Sequence, residues 1–337
     1  MGGRKQMLAM VLAVMAVVMP GAGHTCPEWP KTTWELAGDA DLIVVGRIVR
    51  TWEVDSLPAD IVPPSETEYE RVMREALRDI APRDRVDLEV REVWKGAPLE
   101  KLTLASDLGR DDLVRVSQAG GQGDVWLLFL DRYDDALWRV TGIASYHRLE
   151  DGAVTAWRER VKRALELQAH PPVHDKARQD WNALALLHPA TRWDGFLDLF
   201  DEARLWSRDD DETFVAPQPS PLGPVAQRRI AASFIEHPGE PSFLPAMLLV
   251  LAGHPSPEVD RIAIRLLEKR LAGGHRAFPI SWTQDAMDLL SVRLGVSGPG
   301  TERCSQNGLR DEEAAAIVPC VRARWERIRA LHQEQAR

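Results

Sequence analysis

Val86, Leu88 and Val90 alternate with Asp87, Glu89 and Arg91 in the stretch Arg85–Gly96. Alternation at period two marks a strand with one face buried and the other in solvent. It breaks at Val93-Trp94 and stops at the Lys95-Gly96 turn. Asp41–Glu53, through Leu42-Ile43-Val44-Val45 and Ile48, reads as a more fully buried strand, and Asp124–Leu130 reads as another. Leu99–Ala105 supplies a further strand, with Leu102 and Leu104 set against Thr103 and Ala105. Leu137–His147 holds a strand pair, or one strand bent at Gly142, before a tight turn at Asp151-Gly152. These runs predict a small β domain over residues 24–152.

One helical segment interrupts it. Ser65-x-x-Glu68 has the form of a capping box, and Tyr69, Val72, Met73, Ala76, Leu77 and Ile80 follow at helical spacing. This predicts an inserted helix over about 66–79, packed by its apolar face on the β domain. From Val154 the period is helical to the end of the chain. Trp157, Val161 and Leu165 mark one helix, Trp181 and Leu184 a second, and Trp193, Phe196 and Phe200 a third. Ser207–Pro224, acidic and then proline-rich, reads as an exposed loop. Helices are expected at Val225–Glu236, Ser242–Ala252, Pro257–Leu271, Thr283–Leu294 and Asp311–Gln333. His188-Pro189, His237-Pro238 and His254-Pro255 punctuate the array. The helix opened by Pro257-Glu258-Val259, with Ala263, Leu266 and Leu267, resembles the second helix of a HEAT repeat. The expected fold class is therefore α+β and multidomain: a small barrel-forming β domain with an inserted helix, then an all-α array over 153–337.

Residues 1–23 have the form of a signal peptide: Arg4 and Lys5, an apolar run from Met7 to Met19, then small residues at Gly21-Ala22-Gly23. The run is too short to span a membrane comfortably, and no other run approaches the ~20 apolar residues a span needs. The mature chain is expected to be exported, periplasmic or extracellular, with no integral membrane segment. Its formal net charge is −9, or −11 once the first 23 residues are gone. That balance argues against nucleic acid or an anionic membrane surface as a partner. Export permits disulfides. Of the three cysteines, Cys304 and Cys320 lie close in the last segment and are expected to pair, leaving Cys26 over.

The segments "ADLIVVGRIV", "VDLEVREVWKG", "LTLASD" and "GDVWLLFLDRYDDALWRVTG" together resemble the netrin-like domain, which is an OB-fold barrel of the tissue-inhibitor-of-metalloproteinases type. Gly46, Val93-Trp94-Lys95-Gly96, Gly123 and Trp126–Phe129 occupy the places of that family's motifs, over roughly Trp34 to His147. The resemblance implies an OB-like barrel and, as one function, inhibition of a secreted metalloprotease through an N-terminal cysteine. Cleavage after Gly23 leaves His24 and Thr25 ahead of Cys26, which blocks that geometry.

Reactive motifs are sparse. His170 and His174 have the spacing of helical zinc ligands, but Pro171 and Pro172 lie between them. Asp131–Asp135 and Asp209–Glu212 lack the alternating ligands and central glycine of a calcium loop. Gly120-Gly121-Gln122-Gly123 precedes a strand instead of following one, which suits a turn better than a phosphate cradle. No catalytic, metal-binding or cofactor-binding residue is assigned, and no cofactor is expected. Six of the twelve tryptophans fall in or beside the β domain. Aromatic residues on one barrel face suit ligand stacking, so Trp52, Trp94, Trp126 and Trp138 form a candidate ligand face. The expectation is a non-enzymatic exported binding or scaffold protein, its partner another envelope or extracellular protein. The alternatives are the metalloprotease inhibitor and an enzyme with a dispersed interdomain site.

Overall fold

The computed structural model describes residues 31–54, 84–106, 124–142, 145–150, 152–170, 175–200, 220–240, 243–273, 280–298, 300–304 and 314–335. The expected signal peptide, the inserted helix over 66–79, the glycine-rich segment 120–123 and residues 207–219 of the expected loop lie outside these. The chain is mixed α+β and forms two compact units: a barrel over Asp39–Arg148, and a helical unit made of Thr32–Gly38 with Leu149–Arg337.

The barrel is built from β1 (Leu42–Glu53), β2 (Asp84–Lys95), β3 (Lys101–Ser106), β4 (Val125–Arg132) and β5 (Leu137–Val140). Strands follow in the order β1-β2-β3-β5-β4, and β4 pairs back onto β1, which closes the sheet. Among the pairings of β1–β5, β3–β5 is parallel and the others are antiparallel. A sixth strand, β6 (Tyr146–Leu149), extends the sheet from β4. This is the small OB-like barrel of the sequence reading, and the bend at Gly142 separates β5 from β6. Leu42, Val44, Ile48, Val86, Leu88 and Leu104 line the interior with Trp126 and Leu128. The alternation of β2 is the signature of its single buried face. β4 and the first part of β1, Leu42–Gly46, are buried on both faces, since Ile43, Val45, Leu127 and Phe129 are as inaccessible as the core residues between them.

Two glycines explain their places in the barrel motifs. A side chain at Gly46 would meet Leu88 Cδ2 at 2.6 Å and the Glu89 carbonyl oxygen at 2.8 Å, where β1 is paired to Val90 on one side and Trp126 on the other. Gly96 ends β2 with φ of +100°, a left-handed conformation that glycine adopts without a Cβ penalty.

The helical unit contains α1 (Thr33–Asp39, its last residue falling in the barrel unit), α2 (Ala153–Gln168), α3 (Asp175–Leu186), α4 (Arg192–Leu199), α5 (Pro224–Glu236), α6 (Leu244–Val250), α7 (Pro257–Gly273), α8 (Ile280–Leu294) and α9 (Ala314–Gln335). Neighbours in sequence pack on one another: α2 on α3, α3 on α4, α6 on α7, α7 on α8 and α8 on α9. Phe234, Leu248, Leu267, Leu290, Val321 and Ile328 lie in one continuous core. A reciprocal capping box starts α1. Thr32 N–H donates to Glu35 Oε2 at 2.9 Å, and Glu35 N–H donates to Thr32 Oγ1 at 3.4 Å.

The His-Pro sequences are corners held by buried arginines. Arg192 donates to the carbonyls of Leu186 and His237 at 3.2 and 2.8 Å. Arg293 donates to the carbonyls of Leu251 and His254 at 2.8 and 3.1 Å, and pairs with Asp260 at 2.7 Å. A proline cannot continue a helix, and the carbonyls it strands need donors. Each guanidinium supplies several.

Cys304 and Cys320 sit at disulfide distance, Cα to Cα 6.1 Å, and tie the segment before α9 to that helix. Gln284 of α8 holds Cys304 independently: its Oε1 accepts from Cys304 N–H at 2.7 Å, and its Nε2 donates to Cys304 C=O at 3.0 Å. The cysteines are 16 residues apart. Replacing both by serine is expected to cost about 3 kcal/mol in urea unfolding, by the chain-entropy model, without loss of helical content. A loss below about 1 kcal/mol would mean that the bridge constrains little.

Candidate functional site

The outer face of β1, β2 and β3 carries a polar row set by strand register. Arg50 pairs with Asp87, and Asp87 with Thr103. Arg50 Nε donates to Asp87 Oδ2 at 2.5 Å, Thr103 Oγ1 donates to Oδ1 at 2.8 Å, and Trp52 Nε1 donates to Oδ2 at 3.2 Å. The Arg50 guanidinium also lies 5.3 Å from the Trp52 ring centroid. Burial pushes the Asp87 carboxyl up, but hydrogen bonds from Arg50, Thr103 and Trp52 outweigh it and leave the pKa below the usual carboxylate value. The result is an aromatic ring pinned at its edge beside a fixed carboxylate and a cation, with Trp52 39% and Val49 51% exposed.

The four tryptophans read from the sequence do not gather on one face. Trp52 is on this outer face. Trp94 is half-buried and donates to Glu92 Oε2 at 2.9 Å. It adjoins Val93, the partner of Val44, whereas Trp52 pairs with Arg85. Eight β1 positions separate the two, roughly 26 Å along a strand. Trp126 is in the barrel core at 2% exposure, with its ring 6.2 Å from that of Tyr146. Trp138 packs on the same core, with Arg132 at 4.7 Å from its ring.

The helical unit holds a buried ionic cluster that sequence reading missed. Arg160 of α2 pairs with Asp194 at 2.6 Å and with Asp198 at 3.0 Å, both on α4. It also donates to Trp181 C=O and to Asn182, and its guanidinium lies over the Trp181 ring, 3.3 Å from the centroid. Arg178 of α3 reaches Asp198 at 3.1 Å. Asp194 accepts from the Thr33 N–H at 2.9 Å and so caps α1 from a helix far away in sequence. Gln168 donates to Trp34 C=O, and Trp34 meets Trp181 edge-on at 5.3 Å. The cluster joins four helices, and the Asp198 side chain has no exposed area.

Burial pushes the Asp198 carboxyl up and the neighbouring Asp194 adds to this; Arg160 and Arg178 pull the other way, and the balance lies at about 6. A carboxyl with a folded pKa above its unfolded value takes up a proton more readily when folded. Its contribution therefore grows as pH falls through about 6 toward about 4, and is lost as pH rises. Asp198→Asn is expected to flatten that part of the dependence of the urea midpoint between about pH 7 and about pH 5. An unchanged slope would show that Asp198 does not titrate there.

A second cluster lies beside the cysteine pair. Arg324 of α9 bonds Asp288 of α8 and donates to Thr301 C=O at 2.8 Å. Arg303 bridges Asp285 and Asp288 at 3.0 and 3.4 Å. Burial raises the Asp288 pKa against the pull of Arg324 and Arg303. His188 is shifted down, first by burial and then by Arg192 and His237. Among the described residues no group of three or more His, Cys, Asp or Glu side chains is arranged to hold a metal ion. His174 lies outside the described residues, while His170 Nδ1 meets the Glu166 carbonyl oxygen at 3.0 Å. No described helix is long and apolar enough to cross a membrane. No protein-family model and no curated protein matches the chain.

Proposed function

We propose that this chain is an exported, non-enzymatic binding or scaffold protein, and that its partner is another protein of the envelope or extracellular space. The observation that carries this reading is the division of polar groups between inside and outside. The strongly perturbed carboxyl Asp198 is shut away and engaged with arginines of neighbouring helices. Such a group cannot touch a substrate. The outer face of β1–β3 instead presents an ordered but exposed aromatic ring beside a cation and a carboxylate. Aromatic and arginine side chains fixed before binding suit recognition, because little freedom is lost on contact. The kinship with netrin-like barrels belongs to the same proposal.

The test is capture from the envelope fraction with the full mature chain, run beside a Trp52→Ala, Arg50→Glu variant. A protein retained by the natural chain and lost from the variant supports the reading. Turnover of a peptide, ester or glycan by the purified chain, abolished by one substitution that leaves folding intact, would overturn it. Sequencing the mature N-terminus bears on the inhibitor alternative, which requires a chain beginning at Cys26.

A further inference from the structure

β1 is longer than the strand that closes the barrel against it. Its register with β4 runs from Leu42 to Arg47, which pairs with Val125. Its register with β2 continues to Glu53. Ile48–Glu53 is thus paired on one side only among the described residues. The N–H and C=O groups along its other side meet no strand among the described residues, as at a sheet edge. At the start of this segment the pairing with β2 slips between Ile48 and Arg50, so Val49 has no β2 partner and its side chain is 51% exposed.

The side chains bordering the first part of that edge combine cations with apolar surface, and Glu53 is exposed at its far end. Trp52 is exposed, and its ring is fixed through Asp87. Arg50 is 64% exposed, and its bond to Asp87 uses Nε, leaving its two terminal nitrogens without a hydrogen bond to the described residues. Arg47 is exposed and has no ion pair with the described residues. In a chain of net charge −9, these are two cations with open donors flanking two apolar surfaces.

Building on the binding role proposed above, we infer that the free edge of β1 accepts an extended segment of a partner protein as an added strand. Backbone pairing supplies the attachment, and side chains supply the selection. The segment that fits places an acidic residue beside Arg50 or Arg47 and apolar residues against Val49 and Trp52. Asp87 already holds Trp52 and Arg50, so both are oriented before the segment arrives.

The experiment uses the full mature chain and a displayed library of short linear peptides, followed by synthesis of the enriched ones. Enrichment of sequences that carry an acidic and an apolar residue two positions apart is expected, since Arg50 and Trp52 share one face of β1. Their binding should slow hydrogen exchange at the amides of 48–53 that point away from β2, and Arg50→Glu should weaken the binding by at least about tenfold. Val49→Lys, at a position without a cross-strand partner, should weaken it similarly while leaving the unfolding midpoint in place. Arg50→Lys should retain most of the binding. The inference is overturned if no peptide is enriched, or if enriched peptides bind the variants equally well. It is also overturned if those amides of 48–53 that point away from β2 are already protected in the free monomer, so that the chain fills its own edge. Protection that appears only with concentration-dependent dimerisation assigns the edge to a second copy and overturns it too. A captured envelope protein whose retention ignores both Arg50 and Val49 leaves the binding role standing and sinks only this site.

Discussion

Arg160→Leu is expected to destabilise the helical unit by about 3–5 kcal/mol, the usual cost of removing one partner from a buried ionic cluster. The Arg160 side chain is 2% exposed, and the carboxylates it holds are 9% and 0% exposed. Removing the guanidinium leaves Asp194 and Asp198 close together with Arg178 as the remaining cation on Asp198. It also strips a donor from the Trp181 carbonyl. Leucine replaces part of the volume and none of the hydrogen bonds. Arg163→Leu on the same helix is the control. Its pair with Glu166 is 55% and 62% exposed, and exposed pairs contribute at most about 1 kcal/mol. Urea unfolding followed by tryptophan fluorescence reads both. A loss under about 1 kcal/mol for Arg160→Leu would show that the cluster is not what holds α1–α4 together.

Trp126→Ala is expected to cost about 3–5 kcal/mol, the range for emptying a large aromatic site in a core. Trp126 is 2% exposed and packs among Leu42, Val44 and Leu128 inside the closed barrel. Trp52→Ala on the outer face should cost below about 1.5 kcal/mol, since it forfeits one hydrogen bond and an exposed ring contact. Calorimetry on the two variants separates a packing tryptophan from a presenting one. Equal losses would contradict the assignment of Trp52 to a solvent-facing position.

The strands and the longer helices were legible because their burial is periodic. Pro224–Glu236, Pro257–Gly273 and Ile280–Leu294 fall within a few residues of the expected bounds, each set by a proline or an apolar stripe. The helix Thr33–Asp39 was not read. It has seven residues, too few to show a helical stripe, and its signal was the Thr32-x-x-Glu35 box. The direction of each tryptophan was also illegible. Trp126 lies in a run buried on both faces, so alternation says nothing about which side it takes. The cluster around Arg160 could not be seen because its carboxylates lie 34 and 38 residues away. In the sequence Arg158-Glu159-Arg160-Val161-Lys162-Arg163, Arg160 looks like one more charge on a solvated helix face. Three-dimensional proximity alone distinguishes it.

Thr33 and its cap Asp194 are separated by 161 residues. During synthesis at ~5–20 residues per second, α1 waits on the order of ten seconds before the helix that receives it exists. The whole barrel is made in that interval. Thr33 and Trp34, which meet Asp194 and Trp181 in the finished protein, lack these partners until α3 and α4 are made. The first helix of the helical unit is thus made early and seated late. A chain interrupted before Asp194 keeps the Thr32–Glu35 box of α1 but lacks the acceptor for the Thr33 N–H.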